Sequence, residues 1–142
     1  MIVSTKGRYA LRILIDMAEH DSESYITLRE IAARQEISEK YLESIAKELV
    51  KSGIIEGLRG KGGGYRLRRQ PDTITAAEVL KLTEGDLSSV PCLKDKSICN
   101  RTSECRTISF WRGLDEVIEK YIQSFTIADL MNKDQLGNDY II

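Results

Sequence analysis

Residues 27–69 read TLREIAARQEISEKYLESIAKELVKSGIIEGLRGKGGGYRLRR, and the fold turns on how this stretch divides. Thr27-Leu28-Arg29-Glu30 places a hydroxyl and a carboxylate where each can satisfy the other's unpaired helix-start N–H, so a short helix opens here and runs through Ile31 and Ala32. A tight turn through Gln35, Glu36 and Ile37 leads to Ser38, an N-cap for a third helix. In that helix Leu42, Ile45, Ala46 and Leu49 recur on one face, while Glu39, Lys40, Glu43, Ser44 and Lys47 stay outside. Gly53 is its stop signal. Two short alternating segments follow, Ile54 to Leu58 and Tyr65 to Arg68, joined by Arg59-Gly60-Lys61-Gly62-Gly63-Gly64. Glycine lets that connection turn tightly and lie close to another backbone. Helix, turn, helix and two-stranded hairpin together make a winged helix-turn-helix.

The flanks extend this plan. A first helix is predicted from about Lys6 to His20, with Ala10, Leu11, Leu14, Met17 and Ala18 on one face. Pro71 closes the hairpin, and Thr75-Ala76-Ala77-Glu78 is a second capping box opening a short helix to Leu82. Residues 85–104 have no sustained period and read as loop. From about Cys105 the chain is helical again, with Trp111, Leu114, Ile118, Tyr121 and Phe125 forming an a/d stripe suited to burial against a second copy. A final short helix starts near Thr126, and the tail ends Asp139-Tyr140-Ile141-Ile142. The expected fold class is mainly α with a small β-hairpin wing. A winged helix-turn-helix domain occupies 1–84 (helix-turn-helix 27–52, wing 54–69), followed by a cysteine loop at 85–104. Residues 105–142 hold a long dimerisation helix and a C-terminal segment.

Composition is that of an ordinary folded chain: 142 residues, 42% hydrophobic and 30% charged, with net charge −1. The total argues against nucleic acid, but the distribution argues for it. Residues 57–70 carry Arg59, Lys61, Arg66, Arg68 and Arg69 without an acid, and residues 1–12 carry Lys6, Arg8 and Arg12 likewise. The N-terminus mixes charges with apolar residues at helical spacing, which predicts neither a leader nor a membrane span and a cytoplasmic protein.

A helix fits the major groove, where base edges carry a distinguishable code. The third helix offers Ser38, Lys40, Tyr41, Glu43 and Ser44, and Glu43 suits discrimination, since it can accept from cytosine but repels phosphate. The wing offers Arg59, Gly60 and Lys61 on a tip slender enough for a minor groove. The same core with a solvated hairpin would serve equally as a protein-interaction module; the basic wing favours double-stranded DNA.

Cys92, Cys99 and Cys105 are the only cysteines, with six and five residues between them. Structural zinc sites use tighter pairs, whereas wider spacing on one loop can wrap an iron–sulfur cluster. Three thiols leave a fourth ligand position open. Zinc binding, a cluster-free redox switch and three unrelated cysteines are the alternatives. No nucleophile elbow, phosphate loop or dinucleotide fingerprint points to an enzyme.

Ser4-Thr5-Lys6-Gly7-Arg8-Tyr9-Ala10, Ser38-Glu39-Lys40-Tyr41-Leu42-Glu43, the wing Arg59 to Tyr65, the three-cysteine loop and Phe110-Trp111-Arg112 together resemble the Rrf-type (BadM-like) winged-helix regulators, most of all their IscR-like iron–sulfur branch. The resemblance implies a transcription regulator, repressor or activator. It would be a homodimer held by the C-terminal helix, with Cys92, Cys99 and Cys105 on an iron–sulfur cluster, 2Fe–2S rather than 4Fe–4S. Two departures stand out. Ile108 occupies the place of the branch's ligand histidine, and the middle spacing of the cysteine loop is one residue longer than usual there. A nitric-oxide-sensing branch has an acidic ligand where this chain has Arg8, and His20 reads as a helix-end residue. A cysteine-metabolism branch (CymR-like) resembles the N-terminal half and the tail but lacks the three thiols.

Overall fold

The computed structural model describes residues 3–20 and 24–131; the tail Asp139 to Ile142 lies outside them. Helix α1 (Thr5–Glu19) starts where the Ser4 side chain accepts from the Gly7 N–H, and it buries Ala10, Ile13, Leu14 and Met17. Helix α2 (Leu28–Gln35) has both halves of the expected capping box, Thr27 with Glu30. Helix α3 (Glu39–Lys51), capped by Ser38, buries the expected Leu42, Ile45, Ala46 and Leu49. The turn between α2 and α3 places Glu36 in the left-handed region at φ 54°.

Strands β1 (Ile55–Leu58) and β2 (Gly64–Leu67) pair antiparallel, with Ile55 opposite Leu67 and Leu58 opposite Gly64. A third segment braces this hairpin: Ile26 and Tyr65 exchange backbone hydrogen bonds of 2.8 and 2.7 Å. Beyond a 3₁₀ turn at Pro71–Thr73 comes α4 (Ala76–Glu84). Thr75 caps it as expected, but the Glu78 carboxylate turns to Arg69, so only half of the predicted capping box forms. Glu84, at the far end of α4, accepts from the backbone N–H of Ser4 at 3.2 Å and its hydroxyl at 2.6 Å, tying the start of α1 to the end of α4.

Two expectations for the C-terminal half change. Residues 85–104 are not all loop: Pro91 presets the backbone for a single turn, α5 (Pro91–Lys94). The long helix α6 (Ile108–Gln123) begins at Ile108 instead of Cys105, and Phe125 lies beyond its end. Helix α7 (Ile127–Met131) then returns to the first layer, where Ile127 is fully buried in the core shared with α1. Two hydrogen bonds of 2.8 Å fix the return, Ala76 N–H to the Phe125 carbonyl and Ile127 N–H to the Ile74 carbonyl. Among the described residues no helix is long and apolar enough to cross a membrane.

Candidate nucleic-acid interface and cysteine segment

Helix α1 sets the position of α2 and α3. Its Asp16, buried in an otherwise apolar core, accepts from Arg34 at 3.0 and 2.6 Å and from Gln35 at 2.8 Å. Burial alone would raise this carboxyl, but hydrogen bonds from Arg34 and Gln35, with the Arg34 and His20 charges, hold it below its usual range. Toward α3, the Tyr9 and Tyr41 rings meet edge to face at 5.7 Å, Lys6 pairs with Glu48, and Arg12 stacks over Tyr9 and bonds to Gln35. The helix-turn-helix is therefore held from behind by charge pairs as well as apolar packing.

The wing is held as firmly at its base. Gly64 has φ 146°, and a Cβ there would lie 2.5 Å from the Ile26 carbonyl oxygen, so a side chain would break the Ile26–Tyr65 brace. At the tip a Cβ on Gly63 would meet the Leu58 carbonyl oxygen at 2.2 Å. Arg66 bonds to Glu56 at 2.6 Å and lies over the Tyr25 ring at 4.5 Å.

Of the residues expected at DNA, Ser38, Lys40, Glu43 and Ser44 lie exposed on α3, and Arg59, Gly60 and Lys61 are exposed on the wing tip. Two have structural duties. Ser44 donates its hydroxyl to the Tyr41 carbonyl at 2.7 Å, and Tyr41 itself is half-buried against Tyr9. The basic stretches are also less free than their local sequence implies. Lys6, Arg66 and Arg69 have acidic partners in Glu48, Glu56 and Glu78, all outside the stretches 1–12 and 57–70. Arg8, Arg59, Lys61 and Arg68 remain exposed. Between α3 and the wing runs a cleft of about 500 Å³, to which Lys47, Val50, Leu58 and Tyr65 contribute although sequence reading singled out none of them for DNA. The spacing of Glu43, Lys47 and Val50 on one helical face was the available signal.

The three thiols occupy one segment between α4 and α6. Cys92 is in α5, Cys99 opens on a cleft it shares with Lys96 and Arg112, and Cys105 sits in the turn before α6. All are free and half-buried. The Thr107 hydroxyl, 3.2 Å from the Cys105 sulfur, leads a set of hydrogen bonds that hold this thiol below its ordinary value, helped by backbone N–H groups and the Arg101 charge. As a donor set the three suit a thiophilic metal or an iron–sulfur cluster. Yet among the described residues no three His, Cys, Asp or Glu side chains stand close enough together to hold a metal ion. Of the oxygen donors nearby, the Asp95 carboxylate already accepts from the Ser97 N–H at 2.9 Å and hydroxyl at 2.7 Å. His20 is the C-cap of α1, its Nδ1 2.9 Å from the Asp16 carbonyl oxygen.

Comparison with known proteins places this arrangement. The family model for Rrf2, described as iron-dependent transcriptional regulators, matches residues 3–133. The chain belongs to the Rrf2 family. It is 34% identical to the HTH-type transcriptional regulator IscR of Erwinia tasmaniensis over 136 residues, covering 96% of this chain and 82% of that protein. Among solved structures, IscR of T. potens superposes with a TM-score of 0.72 at 32% identity, covering 97% of this chain and 91% of that one. CymR of B. subtilis, a global cysteine regulator, gives 0.71 at 34%, covering 92% and 96%. This Rrf2 chain is thus an IscR-like, DNA-binding transcriptional regulator with the winged-helix fold.

On α6 the outward side differs from the expected stripe. Phe110, Leu114, Val117 and Tyr121 are the exposed apolar side chains, whereas Trp111, Ile118 and Phe125 are half-buried against the same chain. Only Leu114 and Tyr121 of the expected stripe belong to the exposed row, and α4 packs against α6.

Proposed function

We propose that this regulator binds promoter DNA as a homodimer and that an iron–sulfur cluster on Cys92, Cys99 and Cys105 tunes that binding. The observation carrying this reading is the gathering of three free, half-buried thiols on the one segment that joins the DNA-reading body to α6. When bound, the cluster would supply redox and ligand-exchange chemistry on soft sulfur ligands. The protein's own part is to hold three thiolates on a segment able to draw together. Ile108 takes the first position of α6 and offers no donor, so the fourth position falls to an oxygen donor such as Glu104 or Asp95, or to an external thiol or water. Ser38, Lys40, Tyr41, Glu43 and Ser44 would face the major groove, with Arg59, Gly60 and Lys61 at the minor groove. The apolar row Phe110, Leu114, Val117 and Tyr121 would bury against its counterpart in a second copy.

The test is the absorption spectrum of protein purified without oxygen, with iron and acid-labile sulfide counted. Brown protein holding about two irons and two sulfides per chain, lost in each Cys→Ala variant and kept in His20→Ala, supports the reading. Colourless protein that still binds DNA supports the second reading, a cluster-free thiol regulator. The likeness to CymR fits that alternative as well as the likeness to IscR fits the first reading. Light scattering that gives one chain at micromolar concentration would overturn the dimer.

A further inference from the structure

The cleft between α3 and the wing has a partly apolar wall formed by Val50, Leu58 and Tyr65. Val50 is 39% exposed and Leu58 49% exposed, and neither joins the core. Tyr65 lies beside them, its ring packed where a Cβ on Gly57 would come within 3.1 Å. Lys47 and Arg59 contribute cations to the same lining, and Glu43 is its acidic member.

We propose that this cleft is the seat of one DNA sugar–phosphate strand, with Val50, Leu58 and the Tyr65 ring packing on deoxyribose while Lys47 and Arg59 meet the flanking phosphates. The inference rests on the placement of α3 in a major groove and the wing in the adjacent minor groove. On a duplex those two grooves are separated by a single sugar–phosphate strand, so that strand must cross the space between the two elements. Such a strand is amphipathic: its phosphates carry the charge, and its sugars present C–H faces between them. The cleft has an apolar wall with two cations, Lys47 and Arg59, to set against the phosphates, while Glu43 in the same lining opposes close phosphate approach at its own end. Burying Val50 and Leu58 there removes apolar surface from water without releasing counterions. DNA affinity would then have a salt-independent part located in named side chains.

Salt titrations separate this part from the ionic one. The probe is a 30-base-pair duplex enriched from a random-sequence pool by the unmodified protein, with binding followed by fluorescence anisotropy at several KCl concentrations. The Val50→Ala, Leu58→Ala double variant is expected to bind roughly tenfold more weakly at every salt concentration, with the slope of log affinity against log salt unchanged. Arg59→Ala should instead flatten that slope by about 0.9, the contribution of one phosphate contact. Hydroxyl-radical cleavage, which attacks deoxyribose, should show protection of the strand facing the cleft lost in the double variant and kept in Arg59→Ala. Circular dichroism and thermal melting establish that each variant is folded. A folded double variant with unchanged affinity and footprint would overturn the proposal while leaving groove binding intact, provided Arg59→Ala still flattens the slope. Failure of the unmodified protein to enrich any duplex would overturn both the groove assignment and the inference built on it.

Discussion

The body formed by α1 to α4 and the wing contrasts with the segment at residues 85–107. The body has a continuous core from Ala10 to Val79, a buried carboxylate clamped by Arg34 and Gln35, and a hairpin braced by Ile26. No residue of 85–107 belongs to that core; Ile98 is 60% exposed, and all three thiols are half-buried. Local stability follows buried contacts and protected hydrogen bonds, so the two regions differ in how easily they rearrange. The chain is closely packed where α3 and the wing are held together. It is loosely held along the segment that carries the three thiols.

Four substitutions would break or sharpen this contrast, the largest first. Asp16→Ala leaves Arg34 and Gln35 without their buried acceptor and should cost about 2–4 kcal/mol in urea unfolding. Because the folded Asp16 carboxyl is lowered from 3.8, its contribution is complete above that value and is lost as pH falls through the folded value. The gap between the unmodified protein and the variant should therefore close on acidification below pH 3.8. An equal urea midpoint for both at neutral pH would sink this account of the clamp.

Gly64→Ala should cost about 1–3 kcal/mol, from its positive φ and its approach to Ile26. Hydrogen exchange at the Ile26 and Tyr65 amides should accelerate in the variant; unchanged protection there would show that the brace does not depend on Gly64. Glu36→Gly works in the opposite direction, relieving a left-handed non-glycine residue in the helix-turn-helix turn. It should stabilise the fold by roughly 1 kcal/mol, read as a higher melting temperature.

The smallest effect belongs to the other region. In metal-free protein Cys99→Ala should change stability by less than about 0.5 kcal/mol, as substitutions outside the core and away from special features do. A loss of several times that size would mean that the segment is part of the folding unit, and the contrast would fail.

What sequence alone could read follows the same division. The buried stripe of α3, the caps at Ser38 and Thr27 and the glycine-rich tip are local signals, each confined to one turn of helix or one hairpin, and all appear in the fold. The start of α6 was harder to place because Thr107 supplies no side-chain cap and its hydroxyl is engaged with the Cys105 sulfur. Helix α5 is four residues, too short for any periodicity, although Pro91 was a usable sign. The partners of Lys6 and Arg69 lie 42 and 9 residues away, so a charge count along the chain overstated the free cations. The two apolar rows of α6 could not be told apart until α4 was known to cover one of them. For the thiols, sequence supplied identity and spacing, while their separation in the fold is a matter of the segment's path.

The return of α7 makes the molecule a closed loop of dependence instead of a string of modules. Ile127, a full helix and a cysteine segment downstream of α4, plugs the core beneath α1. A fragment ending at Glu84 would keep every residue expected at DNA and yet open a hydrophobic socket, so the DNA reader is completed by chain that has first passed through the thiols and α6. Any pull on the C-terminal end of α6 is thereby felt, through Ile127, by the same core that holds α3.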